Sequence, residues 1–94
     1  MDKDNKLELI DTTFLMNSKN YQDRFIAEYL QLKIRYERLS MIVKKWDKGE
    51  LDFTPSCPRE IYTIQLSAMR KYLTVLEQRA EIEKVDIQGF KNVN

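Results

Sequence analysis

Lysines and arginines are concentrated in the middle of this 94-residue chain, where tyrosines are interleaved with them. Between residues 33 and 48, six cationic side chains face only Glu37 and Asp47. Guanidinium groups bind phosphate oxygens in pairs and aromatic rings stack on nucleobases, so this combination suits a ligand that carries phosphates and flat bases. The cations are Lys33, Arg35, Arg38, Lys44, Lys45 and Lys48, followed later in the chain by Arg59, Arg70, Lys71 and Arg79.

Most of the tyrosines also have a simpler explanation. Tyr29, Tyr36 and Tyr62 recur at helical spacing among other apolar residues, which is typical of a packed core, and the cations would then only solvate the outer face. Tyr21 differs because it stands just outside the apolar series, at the expected start of a helix. We therefore single out Tyr21 as a candidate ligand-binding residue.

The residue types needed for common catalytic sites are missing. Histidine is absent, which excludes Ser-His and Cys-His arrangements. Cys57 is the single cysteine, so neither an internal disulfide nor a Cys/His zinc site can form. Acidic pairs such as Glu77 and Glu81 are typical of a solvated helix end. We expect no enzyme activity, no metal and no cofactor.

Charge and hydropathy limit the partners. The net charge of +1 gives no overall basic field, which argues against DNA or RNA. The longest helical stretch without a charge has nine residues, far short of the roughly 20 that cross a bilayer. The acidic start of the chain lacks the apolar core of a secretory signal. We expect a reducing intracellular location without membrane contact.

Two long apolar series predict the fold. Both step by alternating intervals of four and three residues, which keeps each series on one side of an α-helix. The first is Phe25, Tyr29, Leu32, Tyr36, Leu39, Val43 and Trp46, and the second is Tyr62, Leu66, Met69, Leu73, Leu76 and Ala80. Two such seams joined by a short linker bury themselves by folding back on each other. The sequence predicts an all-α fold, an antiparallel two-helix hairpin.

Capping and turn residues indicate where the helices begin and end. Asn17, Ser18 or Asn20 can cap the first helix, Gly49 can end it, and Pro58 is expected at the first position of the second helix. The predicted division is an N-terminal arm or short helix at 1–17, the hairpin at 18–83 (helix about 20–48, loop 49–57, helix about 58–83) and a C-terminal tail at 84–94.

Further apolar residues lie off the two seams, and a hairpin alone leaves them exposed. A small domain without disulfides or metals is commonly stabilised by association. The sequence therefore predicts a homo-oligomeric helical bundle in which other copies cover the second faces. These off-seam residues are Ile26, Leu30, Ile34, Met41 and Ile42 on the first helix, and Ile61, Ile64, Ala68, Tyr72 and Val75 on the second.

A resemblance adds to these predictions. Residues 20–80 resemble a widespread family of small helical-hairpin proteins of tailed phages, related to a protein of crAss-like phage. The positions that carry the resemblance are Tyr21-Gln22-Asp23-Arg24, Glu28, Leu32, Leu39, the run Gln65-Leu66-Ser67-Ala68-Met69-Arg70-Lys71-Tyr72, and Leu76-Glu77-Gln78-Arg79. The hairpin also resembles phage anti-CBASS sponges, which are interlocked homohexamers that sequester cyclic di- and trinucleotides.

The resemblance to the sponges implies a set of binding residues. Tyr21 and Arg35 match the tyrosine and the lysine that hold bases and phosphates there, and Lys33 is a neighbouring substitute for that lysine. Arg35 departs from the pattern by being an arginine. Arg70 matches, by its position on the second helix, a second site for trinucleotides.

Together these features favour a non-enzymatic sponge made by a phage, which acts in the host cytoplasm against a defence that signals through cyclic oligonucleotides. The alternative is a helical adaptor that docks a host protein through an exposed apolar helix face. These hypotheses differ in whether the apolar faces are buried between copies of the chain or left open for another protein.

Overall fold

The computed structural model describes residues 7–90, and helices are the only regular secondary structure that these residues form. The start of the helix at Tyr21–Asp47 contacts the end of the helix at Arg59–Glu83, so the two long helices run antiparallel. This confirms the predicted all-α hairpin with a short N-terminal helix. Predictions for residues 1–6 and 91–94 lie outside the described range. The elements are a 3₁₀ turn at Leu9–Thr12, α1 at Thr13–Met16, α2 at Tyr21–Asp47, α3 at Arg59–Glu83 and a 3₁₀ turn at Gln88–Phe90.

Both ends of α2 are capped by residues that the sequence points to. The Asn20 side chain accepts a hydrogen bond from the Gln22 amide at 2.8 Å, which satisfies one of the orphan donors of the first turn. Gly49 follows the other end with a φ of 72°, in the left-handed region that glycine adopts without strain. The amide after it, that of Glu50, donates to the Lys45 carbonyl at 2.8 Å.

The start of α3 differs by one residue from the expectation. Pro58 lies in the capping position and not in the first turn, since its ψ of 146° is extended. Its carbonyl accepts from the Ile61 amide at 3.1 Å. Proline has no side-chain acceptor, so α3 begins without a side-chain cap.

The predicted seams form the core. Phe25 and Tyr29 of α2 pack in one buried cluster with Leu73, Leu76 and Ala80 of α3. Toward the loop, the rings of Trp46 and Tyr62 meet edge to face with their centroids 5.6 Å apart. A spacing of 3.5 residues therefore brought the correct faces together.

Two residues predicted to remain exposed on a lone hairpin are in fact buried. Leu30 and Ile34 are each 2% exposed. The N-terminal segment lies on this side of α2, where Thr12 accepts a hydrogen bond from the Gln31 side-chain amide at 2.8 Å and Leu15 packs against the core. The expectation failed because the arm of the same chain covers a face that we assigned to other copies.

The corresponding face of α3 is exposed, as expected for a single chain. Along its outer side Ile64 is 64% exposed, while Ile61 and Val75 are each about half exposed. Ile82 continues the same side of the helix at 78% exposure. This outer stripe of α3, defined as Ile61, Ile64, Ala68, Val75 and Ile82, has no partner within residues 7–90.

The segment expected to be a tail packs on the hairpin as far as Phe90. Lys84 adopts a left-handed conformation with a φ of 60°, which reverses the chain after α3. Val85 and Ile87 then return to the core beside Phe25 and Ala80 and are almost completely buried. Sequence periodicity does not predict this packing, because two apolar residues are too few to show a period.

Replacing Ile87 tests this packing. Ile87→Ala should lower the free energy of unfolding by about 2–5 kcal/mol, because a buried isoleucine leaves a cavity when it is truncated. Ile10→Ala is the matched control, since Ile10 is 74% exposed, and it should change the free energy by less than about 0.5 kcal/mol. Urea denaturation measures both. Equal effects of the two substitutions would show that residues 85–87 do not pack as described.

Candidate functional site

Tyr21 lies where the two long helices meet at the open end of the hairpin. Its hydroxyl donates a hydrogen bond to Glu83 Oε1 at 2.7 Å and accepts one from Arg79 Nη2 at 2.7 Å. Arg79 Nε also donates to Glu83 Oε2 at 3.1 Å. The three side chains therefore form a closed polar triangle that joins the first turn of α2 to the last turns of α3.

An aromatic floor lies beneath this triangle. The guanidinium carbon of Arg79 lies 4.9 Å from the centroid of the Phe25 ring, within the range of a cation–π contact. Tyr21 lies beside the same ring, with centroids 6.3 Å apart and planes tilted by 58°. Phe25 is buried whereas Tyr21 is exposed, so the surface presents one phenol and one guanidinium side by side.

The charges within the triangle are well defined at neutral pH. The hydrogen bond to Glu83 raises the pKa of Tyr21, and hydrogen bonds from Tyr21 and Arg79 lower the pKa of Glu83. The hydrogen bond to Glu83 raises the pKa of Arg79. The triangle consequently holds a neutral phenol, a carboxylate and a guanidinium.

Lys33 does not lie on the same face as Arg35. Two residues along a helix are separated by about 200° around its axis. The Lys33 ammonium pairs with Glu37 at 2.8 Å, and its side chain is only 12% exposed. Lys33 and Arg35 of one chain therefore do not lie side by side on the surface of α2.

Arg35 is exposed and has no ion-pair partner within residues 7–90. It lies two heptads after Tyr21, so the two residues share one stripe of α2 but are about 21 Å apart along the axis. Glu28 lies midway between them and accepts a hydrogen bond from the Tyr72 hydroxyl of α3. One chain alone cannot bring Tyr21 and Arg35 to the same small ligand.

Arg70 belongs to a different cluster, in the middle of the hairpin. Its guanidinium carbon lies 5.7 Å from the centroid of the Tyr36 ring, and its Nη2 is 3.6 Å from Glu77 Oε1. The hydroxyl of buried Tyr29 donates to Glu77 Oε2 at 3.4 Å. About half of the Arg70 side chain remains exposed, so it is open to a ligand.

A cleft of about 380 Å³ lies elsewhere, between the N-terminal segment and α2. None of Tyr21, Arg35, Arg70 and Arg79 lines it. The cleft is mainly apolar, and Glu8 and Arg38 form an ion pair at its edge. The candidate cations thus lie on open surface, and a second surface is needed to enclose a ligand there. The cleft is lined by Leu7, Glu8, Ile34, Glu37, Arg38, Met41, Ile42 and Lys45.

Arg79 and Glu83 were not predicted as parts of the site. Arg79 was counted only as one of several cations on the second helix. Its spacing of four from Glu83 indicates an ion pair on the helix surface, but the contact with Tyr21 joins residues 58 positions apart. Apolar periodicity predicts which faces of the two helices pack together. It does not predict their axial register, and the register decides which polar residues contact each other.

A family model matches residues 19–82, about two thirds of the chain, and its description is Sequestin. The chain belongs to the Sequestin family. No curated protein and no solved structure matches the chain in the parallel comparisons.

The Sequestin match covers α2 and nearly all of α3, and it includes Tyr21, Lys33, Arg35 and Arg70. It stops just before Glu83. The family name suggests sequestration of a ligand. Within residues 7–90, no helix is long and apolar enough to cross a membrane, and no cluster of three or more metal-ligating side chains occurs.

Tyr29 gives a test of the buried network through its pH dependence. Burial, with the charge and hydrogen bond of Glu77, raises the pKa of Tyr29 to about 12 from an ordinary 10. Between these values the folded protein keeps a proton that the unfolded chain has lost. The free energy of unfolding must therefore fall with rising pH in this window, by up to about 1.4 kcal/mol per pH unit.

Tyr29→Phe should remove this contribution. Urea denaturation from pH 9 to pH 11.5 should show a loss of stability that is smaller in the variant than in the wild type by on the order of 1–2 kcal/mol. Parallel profiles for the two proteins would contradict the raised pKa of Tyr29.

Proposed function

We propose that this Sequestin-family chain is a phage-encoded sponge that binds cyclic di- or trinucleotide second messengers between copies of itself. The sponge acts in the host cytoplasm and catalyses no reaction. Tight binding lowers the concentration of free messenger, so the defence effector that the messenger activates stays silent. The family assignment supports sequestration, and the arrangement of Tyr21 and Arg35 supports the class of ligand.

The observation that carries the proposal is the shared stripe of Tyr21 and Arg35 on α2. Both side chains are exposed. The Tyr21 ring can stack on a base, and the Arg35 guanidinium can bind a phosphate. Glu28 lies at the midpoint between them. A two-fold axis near Glu28 would therefore bring Tyr21 of one copy to Arg35 of the other.

Two-fold symmetry also matches the ligand. A cyclic dinucleotide has two phosphates and two bases, and a symmetric pair of copies presents every stacking ring and every cation twice. The open surface at Tyr21 and Arg35 becomes a crevice once a second copy covers it. Lys33, which faces another side of α2 and pairs with Glu37, takes no part in this crevice.

Arg70 is proposed as the cation of a second site, suited to trinucleotides. Its guanidinium is stacked on Tyr36, and about half of its side chain is exposed. It can therefore bind a phosphate without a change of side-chain conformation. Arg70 and Arg79 are nine residues apart, which is about 14 Å along α3. This distance separates the Arg70 site from the site at Tyr21, which Arg79 contacts.

The outer stripe of α3 supports the proposed homo-oligomer, for which a hexamer is the expected form. Its apolar residues recur on one side of the helix over three turns or more, and exposed apolar surface of this kind is commonly covered by association. Oligomerisation would also supply the second surface that the Tyr21 and Arg35 crevice lacks in a single chain.

Calorimetric titration with a panel of cyclic di- and trinucleotides tests the function. We expect saturable binding of at least one member of the panel. Tyr21→Ala and Arg35→Ala should each weaken that binding by about 1–3 kcal/mol, through lost stacking or a lost ionic hydrogen bond. Lys44→Ala, an exposed cation later on α2, is the control and should leave the affinity unchanged.

Two results would count against the proposal in different ways. No heat from any cyclic oligonucleotide, with the protein folded and oligomeric, would remove the function. Unchanged affinity in both Tyr21→Ala and Arg35→Ala would move the binding site elsewhere.

The exposed outer stripe of α3 also favours the rival function, a helical adaptor that docks a host protein. Sedimentation equilibrium separates the two. The sponge predicts a stable oligomer that Ile64→Glu dissociates, because the substitution places a charge in a buried apolar contact. Ile10→Glu introduces the same charge at an exposed isoleucine outside this stripe and serves as the control. A wild-type monomer with an open stripe would favour the adaptor.

A further inference from the structure

We propose that Arg79 is the cation that binds a ligand phosphate beside Tyr21, and that Glu83 occupies the phosphate position until ligand arrives. This inference rests on the proposed function and names the residues that complete its Tyr21 site within one chain. The resemblance to the sponges implies Arg35 or Lys33, both on α2, as the phosphate-binding cation. The fold places a further cation, Arg79 of α3, beside Tyr21.

Arg79 is in direct contact with Tyr21. Among residues 7–90, Arg79 is the cation that contacts Tyr21, through Nη2 at 2.7 Å from the hydroxyl. Arg35 lies about 21 Å away along α2 and reaches Tyr21 only from a second copy. A base stacked on Tyr21 therefore has its own phosphate closest to Arg79 of the same chain.

Arg79 is also held in place before a ligand binds. Arg79 rests on the Phe25 ring and is tied to Tyr21 and Glu83, so most of its rotamer freedom is already lost before ligand binds. Binding groups that are held in place bind more tightly, because less conformational entropy is lost on association. A guanidinium has five N–H donors. Before ligand binds, Tyr21 uses one of them and Glu83 another, and the donor to Glu83 becomes available when the phosphate displaces the carboxylate.

Glu83 holds the Arg79 guanidinium in position in the absence of ligand. Its carboxylate is the same kind of bidentate acceptor as a phosphodiester, and it binds Arg79 Nε and the Tyr21 hydroxyl together. The Arg79 side chain is 41% exposed and that of Glu83 is 34% exposed, so solvent weakens the ion pair and a ligand can displace the carboxylate. A phosphate must nevertheless approach a negative charge, and the carboxylate therefore lowers the affinity.

The other end of the hairpin offers a matched control. Arg59 forms two hydrogen bonds with Asp47, each 3.0 Å long, and its guanidinium carbon lies 5.9 Å from the Trp46 ring centroid. This arginine has the same ion-pair and cation–π contacts as Arg79, but no tyrosine hydroxyl binds it. Arg59 and Asp47 thus reproduce the local stability contribution without the proposed binding role.

The experiment is a titration of the oligomeric protein with the tightest-binding cyclic oligonucleotide of the panel. Arg79→Ala should weaken binding about tenfold or more, since an ionic hydrogen bond to phosphate is lost, and Arg79→Lys should restore part of it. Glu83→Gln keeps the size of the side chain but removes its charge and one of its two acceptor oxygens, and it should strengthen binding about two- to fivefold. Arg59→Ala and Asp47→Asn should stay within about twofold of wild type.

Salt dependence separates binding from a structural role. Removing an ionic contact makes the affinity less sensitive to salt, so Arg79→Ala should show a shallower salt dependence than wild type and Arg59→Ala an unchanged one. If the wild-type protein binds the ligand and Arg79→Ala binds it within twofold of the wild-type affinity, this inference is wrong but the proposed function stands. Weaker binding by Glu83→Gln than by wild type would have the same consequence. Wild-type protein that binds no cyclic oligonucleotide would overturn the proposed function and this inference with it.

Discussion

The contact between α2 and α3 along one seam is the constraint on which the rest of the structure depends. Apolar residues spaced 3.5 residues apart bury one narrow stripe of each helix. The rest of each helix surface must be covered by other segments or remain exposed. Leu76 belongs to the cluster buried in this contact and is completely buried. The N-terminal segment and residues 85–90 cover further parts of the hairpin, while the outer stripe of α3 and the edge that carries Tyr21 remain open.

Local patterns in the sequence were sufficient for the hairpin and its caps. Asn20 and Gly49 have the roles that their types predict, because capping depends on neighbouring residues only. The burial of Leu30 and Ile34 could not be read from spacing, since it depends on where the N-terminal segment folds back. The same holds for Ile87, which reaches the core only after the chain reverses at Lys84.

The candidate site was predictable in part. Tyr21 was recognisable because it stands outside the apolar series, and the structure gives it an exposed position at the end of the hairpin. Lys33 and Arg35 are close in sequence but point to different sides of α2, which helical geometry alone already implies. The contact of Tyr21 with Arg79 depends on the register of two helices, and no local pattern encodes that register.

Sequestration demands affinity and no reaction, so it favours rigid surfaces that are paired by symmetry. Arg70 and Arg79 are partly exposed and lie on the rings of Tyr36 and Phe25. Each of the two arginines is paired with a glutamate. Native mass spectrometry of protein purified from cells that make cyclic oligonucleotides tests this view most directly. We expect a homo-oligomer that carries cyclic oligonucleotide in a fixed ratio to its subunits. A ligand-free monomer from the same cells would contradict it.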